Sequence, residues 1–282
     1  MSDRVAAGAT VATRARQLLV ALDEATTLPT FTGADPSFDL GQAFAVADEI
    51  RQLRIARGEV PLGYKIGFTN RGIWARYGVF APIWGPVWNT TVERVDSAET
   101  IVSLAPFVEP RLEPEIMFGF AKAPAAGMSL GELAECIAWV AHGFEIVHTR
   151  FAGWRFAAAD TVADFALHGR LFVGPRLPID RFVAGGSGDL ATQLSSLRVT
   201  LICDDRDVEE GSAEIVLDGP LQALGLWVDA MAARPERWPI VAGDIVTTGT
   251  ITDAAPLVVA GVRWQTQLSD SRLAAMTLET MP

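Results

Sequence analysis

Glu113 and Glu115 stand two residues apart in the apolar run Leu112-Glu-Pro-Glu-Ile-Met-Phe118. In a strand that spacing puts both carboxylates on one face, about 6.6 Å apart along the chain, while Leu112, Ile116 and Phe118 have other environments to fill. Two like charges on one face call for a partner, and a hard divalent cation that takes oxygen ligands suits them. A third carboxylate, Glu145, lies in the next apolar strand, Phe144-Glu-Ile-Val147. Pro114 between the first pair cannot donate to a ladder, which predicts a sheet edge or a bulge. Lys65 sits between Gly63 and Gly67 in another apolar strand, where glycine permits close approach of a backbone or ligand. Burial there would lower the lysine pKa and fit it for proton transfer. Taken singly, each signal has a plainer reading. An isolated Glu-x-Glu is more often a solvated strand face, and a lone lysine is more often ion-paired or snorkelling. His142, His148 and His168 lack the i,i+4 spacing of a helical metal pair, and His142 reads as the cap of a helix. A nucleophile elbow, a P-loop and a dinucleotide fingerprint are absent, which disfavours serine hydrolase, NTPase and nicotinamide chemistry.

The elements that must position these groups are legible from periodicity. Segments 11–24 and 41–57 carry apolar residues at helical spacing, with Asp39 as a cap and Gly58 past the last turn. The stretch 26–37 between them reads as a loop. Tyr64, Ile66 and Phe68 alternate as in a strand. The Trp/Pro/Gly-rich region 70–95 reads as a packed connection and sets a soft boundary near 95. After it, 112–120, 144–147, 171–174, 199–204, 213–217, 245–250 and 257–268 read as strands. Ser129 and Glu132 form a capping box that opens a helix carrying Leu133, Cys136, Ile137 and Val140, ended by Gly143. A short helix runs from Asp160 to His168, stopped by Gly169. Pro220 opens another with Leu221, Leu224, Val228 and Met231 inward. The sum is an α+β chain: a helical part over 1–95 that also holds the Lys65 strand, then a strand-rich part over 96–282.

With 282 residues, half of them apolar, the chain can bury a substantial core. A net charge of −11 disfavours nucleic acid and anionic membrane as partners. It says little about a small anionic substrate, because a bound cation reverses the local field. Cys136 and Cys203 are too few for a disulfide framework, the start lacks the apolar run of a signal peptide, and no stretch approaches a spanning helix. The expectation is a cytoplasmic protein. Eight tryptophans and an apolar N-terminal part make a homo-oligomer the expected assembly. Trp74, Trp84, Trp88 and Trp154 offer a large apolar pocket or, as tryptophan more often does, ordinary core.

Six motifs in order, at 63–70 (GYKIGFTN), 112–118 (LEPEIMF), 142–154 (HGFEIVHTRFAGW), 160–164 (DTVAD), 219–227 (GPLQALGLW) and 243–250 (GDIVTTGT), resemble the 2-keto-4-pentenoate hydratase and 4-oxalocrotonate decarboxylase family of the fumarylacetoacetate hydrolase superfamily. The resemblance runs from about residue 12 to the C-terminus. It implies a mixed β-sandwich roll in the C-terminal part, a Mg2+ or Mn2+ ion held by Glu113, Glu115 and Glu145, a catalytic Lys65, and Thr250 beside a small 2-oxo acid substrate. It also implies a lyase of aromatic-compound catabolism, a homo-oligomer, and an association with a pathway partner enzyme. Two departures stand out. Ile83, with Trp84 beside it, occupies the place where hydratases of this family carry an acidic residue in a Pro-Asp-Phe-Gly-like stretch. Phe165, Ala166, Leu167 and His168 replace an expected Asn-Ala-Ser-Ser. Ile83, Trp84 and His168 are thus expected at the substrate. Without an acid at 83 to position water, decarboxylation of a 2-oxo-3-enedioate is favoured over hydration of a 2-hydroxydienoate, with acylpyruvate hydrolysis and a non-catalytic partner subunit as the remaining readings.

Overall fold

The computed structural model describes residues 2–234 and 238–282. Among them the strands, in chain order, are β1 (Pro61–Gly67), β2 (Ile83–Trp88), β3 (Val92–Arg94), β4 (Glu99–Ser103), β5 (Arg111–Phe120), β6 (Ile137–Val147), β7 (His168–Val173), β8 (Leu177–Pro178), β9 (Arg198–Cys203), β10 (Arg206–Ser212), β11 (Ile245–Thr250), β12 (Ala255–Pro256), β13 (Arg263–Leu268) and β14 (Thr277–Met281). They make a mixed nine-stranded sheet, β2-β1-β11-β5-β6-β7-β3 with β12 and β8 attached, and a five-stranded sheet, β10-β9-β13-β14-β4. The two face each other across Leu112, Phe144, Ile146 and Phe172 from the large sheet and Val102, Leu201, Trp264 and Leu278 from the small one. The same outer face of the large sheet, at Tyr64, Ile66, Ile116, Phe118 and Val246, is covered elsewhere by helices. This α+β sandwich with a curled large sheet is the architecture expected from the sequence.

Helix Leu40–Ala56 starts at a full capping box, Asp39 accepting from the Gln42 N–H and Gln42 returning to Asp39 N–H, and it buries Phe44, Val46 and Ile50. Helix Pro220–Ala232 begins on its proline and buries Leu221, Leu224, Val228 and Met231. Residue 95 falls in the link between β3, in the large sheet, and β4, in the small one. Strands before that link nevertheless pair with strands after it, since β1 runs parallel to β11 with Lys65 opposite Thr247.

Several elements differ from the sequence expectations: Phe31–Ala34 is a short helix inside the stretch read as a loop, β2 and β3 lie inside the region read as a connection, and the strand read over 257–268 covers only Arg263–Leu268. The Ser129 capping box is present, but its helix spans only Leu130–Ala134, and Ile137–Val147 is β6. That run is apolar on both faces, so helical and strand periods fit it equally, and pairing with β5 from Arg111–Val147 to Phe120–Ile137 decides. Gly143 therefore sits mid-strand, where a Cβ would lie 2.1 Å from the Phe172 carbonyl oxygen. His142, expected to cap a helix, is in β6 with Nδ1 at 3.0 Å from the Glu115 carbonyl and Nε2 at 2.9 Å from the Thr266 hydroxyl. Residues 213–217 are not a strand: Ala213–Ile215 is a single 3-10 turn. The strand precedes it as β10, in a hairpin whose Asp204 and Asp205 both have positive φ. The helix expected over 160–168 ends at Ala163.

Candidate metal centre

Five adjacent strands, β1, β11, β5, β6 and β7, each deliver a polar side chain to the inner face of the large sheet. Alternation along β5 places Glu113, Glu115 and Met117 on that face, where Met117 packs with Ala141, Leu171, Val173 and Ile245. Glu113 is directly opposite Glu145 in the β5–β6 ladder. One ligand oxygen from each of Glu113, Glu115 and Glu145 lies within 4.8 Å of the others. Glu115 and Glu145 are fully buried and Glu113 is half-buried at the mouth.

The flanking strands hold Glu115 and Glu145 each by one oxygen. Glu115 Oε2 accepts from the Thr247 hydroxyl and from the Gly249 N–H at 2.9 Å. Glu145 Oε1 faces His168 Nδ1 at 2.8 Å, and His168 Nε2 faces the Thr91 hydroxyl at 2.8 Å. Burial holds His168 well below the ordinary histidine pKa, so the ring is neutral and donates from Nδ1. The other oxygens, Glu115 Oε1 and Glu145 Oε2, are buried without a hydrogen bond. Buried carboxylate oxygens without a hydrogen bond, one of them countered only by the Lys65 ammonium at 3.3 Å, fit a hard cation. The charge count agrees: three carboxylates and the Lys65 ammonium leave two negative charges, which one divalent ion balances.

Pro114 lies neither at an edge nor in a bulge of its own strand. β5 is central, and the irregularity is in β11, where the register slips between Thr247–Met117 and Thr250–Glu115. That slip turns the Gly249 N–H onto the Glu115 carboxylate. Gly249 has φ +103°, and a Cβ there would collide with the Thr69 hydroxyl, so only glycine serves.

Lys65 Nζ is 3.3 Å from Glu145 Oε2 and donates to the Ala166 carbonyl at 3.1 Å. Burial pulls its pKa down, but Glu145, Glu113 and Glu115 together outweigh that and hold it above the ordinary lysine value. The lowered pKa expected from burial alone is thus reversed, and Lys65 is an ammonium. Its carbonyl partner comes from a turn in which Phe165, Ala166 and Leu167 all have positive φ, a conformation costing about 1–3 kcal/mol per residue for non-glycines. Asp164, fully buried, anchors that turn by accepting from the Thr149 hydroxyl and the Arg150 N–H at 2.9 Å each and by an ion pair with the Arg150 guanidinium.

A cavity opens over this cluster, lined by Lys65, Glu113, Ile83, Thr250, Arg111 and Trp154, with Phe68, Tyr77, Val147 and Leu167 among its apolar walls. Ile83 lies beside Lys65: a Cβ on Gly67 would be 3.1 Å from Lys65 Nζ and 3.4 Å from Ile83 Cγ1. Trp84, the next residue in β2, turns to the opposite face and packs on Phe44, ring centroids 5.0 Å apart, so it does not join the cavity. His168 stands behind Glu145 and not among the cavity-lining residues. Of the four tryptophans considered for a pocket, only Trp154 lines this one. Sequence reading did not single out Thr247, Gly249, Arg111 or the Ala166 carbonyl; the first two lie in the GDIVTTGT motif, but their donors are aimed by a bulge that no periodicity reveals.

The carboxylates should mark the protein's pH response. Burial and then the neighbouring Glu145 push Glu115 up to about 8, and burial raises Glu113 and Glu145 as well. A carboxyl whose folded pKa exceeds its unfolded value, about 4.3, gives stability that is full below the unfolded value and lost as pH rises through the folded one. Metal-free protein is therefore expected to lose about 5 °C or more of Tm between about pH 5 and 8. Added Mg2+ should abolish most of that loss. Thermal scans across pH with EDTA or Mg2+ check this, and coincident profiles would contradict it.

No protein-family model matches the chain. Among curated proteins it is 31% identical over 215 residues to a 4-oxalocrotonate decarboxylase from a Pseudomonas species, covering 75% of this chain and 78% of that one. It is 27% identical to a 2-hydroxyhexa-2,4-dienoate hydratase from Comamonas testosteroni, covering 89% of both. Its fold superposes on that of the 4-oxalocrotonate decarboxylase from Pseudomonas putida G7, complexed with magnesium and adipate, with a TM-score of 0.85, 25% identity, and 96% and 97% of the two chains covered. A fumarylpyruvate hydrolase from Pseudomonas aeruginosa, in complex with Mn2+ and pyruvate, shares the fold at a TM-score of 0.56 and 14% identity over 77% of this chain and 88% of that one.

Proposed function

The chain belongs to the 4-oxalocrotonate decarboxylase and 2-keto-4-pentenoate hydratase family of the fumarylacetoacetate hydrolase superfamily and is a metal-dependent lyase, and on that premise we propose that it decarboxylates a 2-oxo-3-enedioate. The observation that carries the choice is Ile83: an apolar side chain lies beside Lys65 in the cavity wall, and no carboxylate other than Glu113 lines the cavity among the described residues. Hydration needs a group that positions and deprotonates water. Loss of CO2 does not.

Glu113, Glu115 and Glu145 would hold a Mg2+ or Mn2+ ion, which when bound supplies Lewis-acid stabilisation of negative charge on the oxygens of the 2-oxo acid. The chain's own residues do the rest. As the bond to the distal carboxylate breaks, its electron pair moves through the conjugated alkene to the 2-oxo oxygen and CO2 leaves. Lys65 Nζ supplies the proton that this oxygen takes up, giving a 2-hydroxydienoate, and the Ala166 carbonyl and Glu145 keep the ammonium aimed. Ile83 and Leu167 keep water from the unsaturated chain. In this reading residues 1–95 contribute the proton donor and part of the apolar wall, and residues 96–282 the carboxylates and the rest of that wall. We also place the protein in the cytoplasm, working as a homo-oligomer beside a partner enzyme of its pathway; its two cysteines are free. None of the tryptophans is exposed, so they supply no argument for the oligomer.

Similarity to dienoate hydratases keeps hydration as the second reading. Incubating the purified protein and Mg2+ with a 2-oxo-3-enedioate, a 2-hydroxydienoate and an acylpyruvate separates the readings: CO2 from the first is expected, and hydration of the second without CO2 from the first overturns the proposal. Ile83→Asp should lower decarboxylation by about tenfold or more, because a second negative charge beside the departing carboxylate weakens dianion binding. Unchanged kinetics for that variant would remove Ile83 from the substrate's path.

A further inference from the structure

We propose that Arg111 selects dicarboxylate substrates by receiving the carboxylate remote from the 2-oxo acid end. The inference rests on the reading of the cavity as a 2-oxo acid site and adds the substrate's second charge to it.

Among the described residues lining the cavity, Lys65 and Arg111 are the cations. Lys65 is committed to Glu145 and the Ala166 carbonyl. Arg111 is not: among the described residues no carboxylate pairs with it, and its side-chain hydrogen bond goes to the Tyr77 hydroxyl. The nearest acid in sequence on that side, Glu109, has its carboxylate on the Gly153 N–H. Arg111 is half-buried, its guanidinium carbon 4.2 Å from the centroid of the Trp154 ring, with the Tyr77 hydroxyl 3.5 Å from one terminal nitrogen. The aromatic ring fixes the plane of the fork, and apart from the long bond that one terminal nitrogen donates to the Tyr77 hydroxyl its donors stay free.

The position is as telling as the lack of a partner. Arg111 is two residues before Glu113 and on the same strand face, opposite Val147 where Glu113 is opposite Glu145. Arg111 and Glu113, which bears the first carboxylate of the cluster, thus stand about 6.6 Å apart along the strand, with the apolar Val147 opposite Arg111. A short 2-oxo diacid anchored by its 2-oxo acid end extends its far carboxylate toward Arg111, and a planar guanidinium takes a carboxylate by two parallel hydrogen bonds. A 2-hydroxydienoate lacks the second carboxylate and gains nothing from Arg111. The pairing stabilises the bound dianion and not the departing neutral CO2, so its effect falls on binding and not on turnover.

The test uses 2-oxoadipate and 2-oxohexanoate, which differ only in the distal carboxylate and lack the alkene needed for reaction. With Mg2+ present, the wild type should bind 2-oxoadipate about 10–100-fold more tightly, the span expected for a charge-assisted pair. Arg111→Met keeps an apolar stem on Trp154 and should erase that preference, leaving 2-oxohexanoate affinity and Mn2+ affinity within about twofold, while Arg111→Lys should retain part of it. With an enedioate substrate the Met variant should raise KM by a similar factor and leave kcat unchanged or higher. A preference that survives in Arg111→Met, or affinities for both acids that fall together, overturns the assignment. Because the two analogues report binding alone, the result stands apart from whether the enzyme releases CO2 or adds water.

Discussion

Glu115→Gln is expected to remove divalent-metal binding and activity together, each by on the order of 10^3-fold, since even outer partners of metal ligands are worth about 10–100-fold. The substitution keeps the shape of the side chain. Its amide oxygen can still accept from the Thr247 hydroxyl and the Gly249 N–H, and that places the amide nitrogen where Glu115 Oε1 now lies open toward the cluster. A donor there repels a cation. The fold should survive, because removing one of three crowded carboxylates relieves repulsion in the metal-free protein. Calorimetric Mg2+ titration, with thermal melting at pH 8, should show no binding and a metal-free Tm at or above that of the wild type. Near-normal Mg2+ affinity would contradict the role given to Glu115.

Lys65→Met should leave the metal in place and remove the chemistry. General acid or base groups contribute about 10^2–10^4-fold, so kcat is expected to fall by that order. Methionine fills most of the buried space, which limits the packing loss. Metal affinity should rise and not fall, because a positive charge 3.3 Å from Glu145 Oε2 has been removed. A residue that merely supported the fold would lower both quantities. Unchanged kcat, or weaker metal binding, would take Lys65 out of the mechanism.

The carboxylate cluster was legible in the sequence because two-residue alternation is a strict rule: Glu113 and Glu115 had to share a face, and Glu145 lay in a strand long enough to pair with theirs. The register that sets Glu113 opposite Glu145 was not legible, since nothing local fixes it. Pro114 pointed to an edge or a bulge in its own strand, whereas β5 is central and the register slip lies in β11. Segment 137–147 failed for a related reason: buried on both faces, it has no amphipathic period to separate strand from helix. The pKa of Lys65 was misread because burial and charge act in opposite directions, and the three carboxylates that win are distant in sequence. Residues 165–167 offered no glycine to announce a left-handed turn; their conformation is imposed by the buried Arg150–Asp164 pair. Trp84 and His168 are expected at the substrate from the family resemblance, and one side-chain alternation for Trp84, and one intervening carboxylate for His168, put them outside the cavity lining.

The central claim is that Glu113, Glu115 and Glu145 together hold one divalent ion above the inner face of the large sheet. A crystal structure of the protein grown with Mn2+, with anomalous data collected near the manganese edge, tests it most directly. One anomalous peak is expected per chain, bonded to an oxygen of each glutamate, with Lys65 still on the Ala166 carbonyl. A peak held by other residues, or no peak while Glu145 remains paired only with Lys65 and His168, would contradict the account.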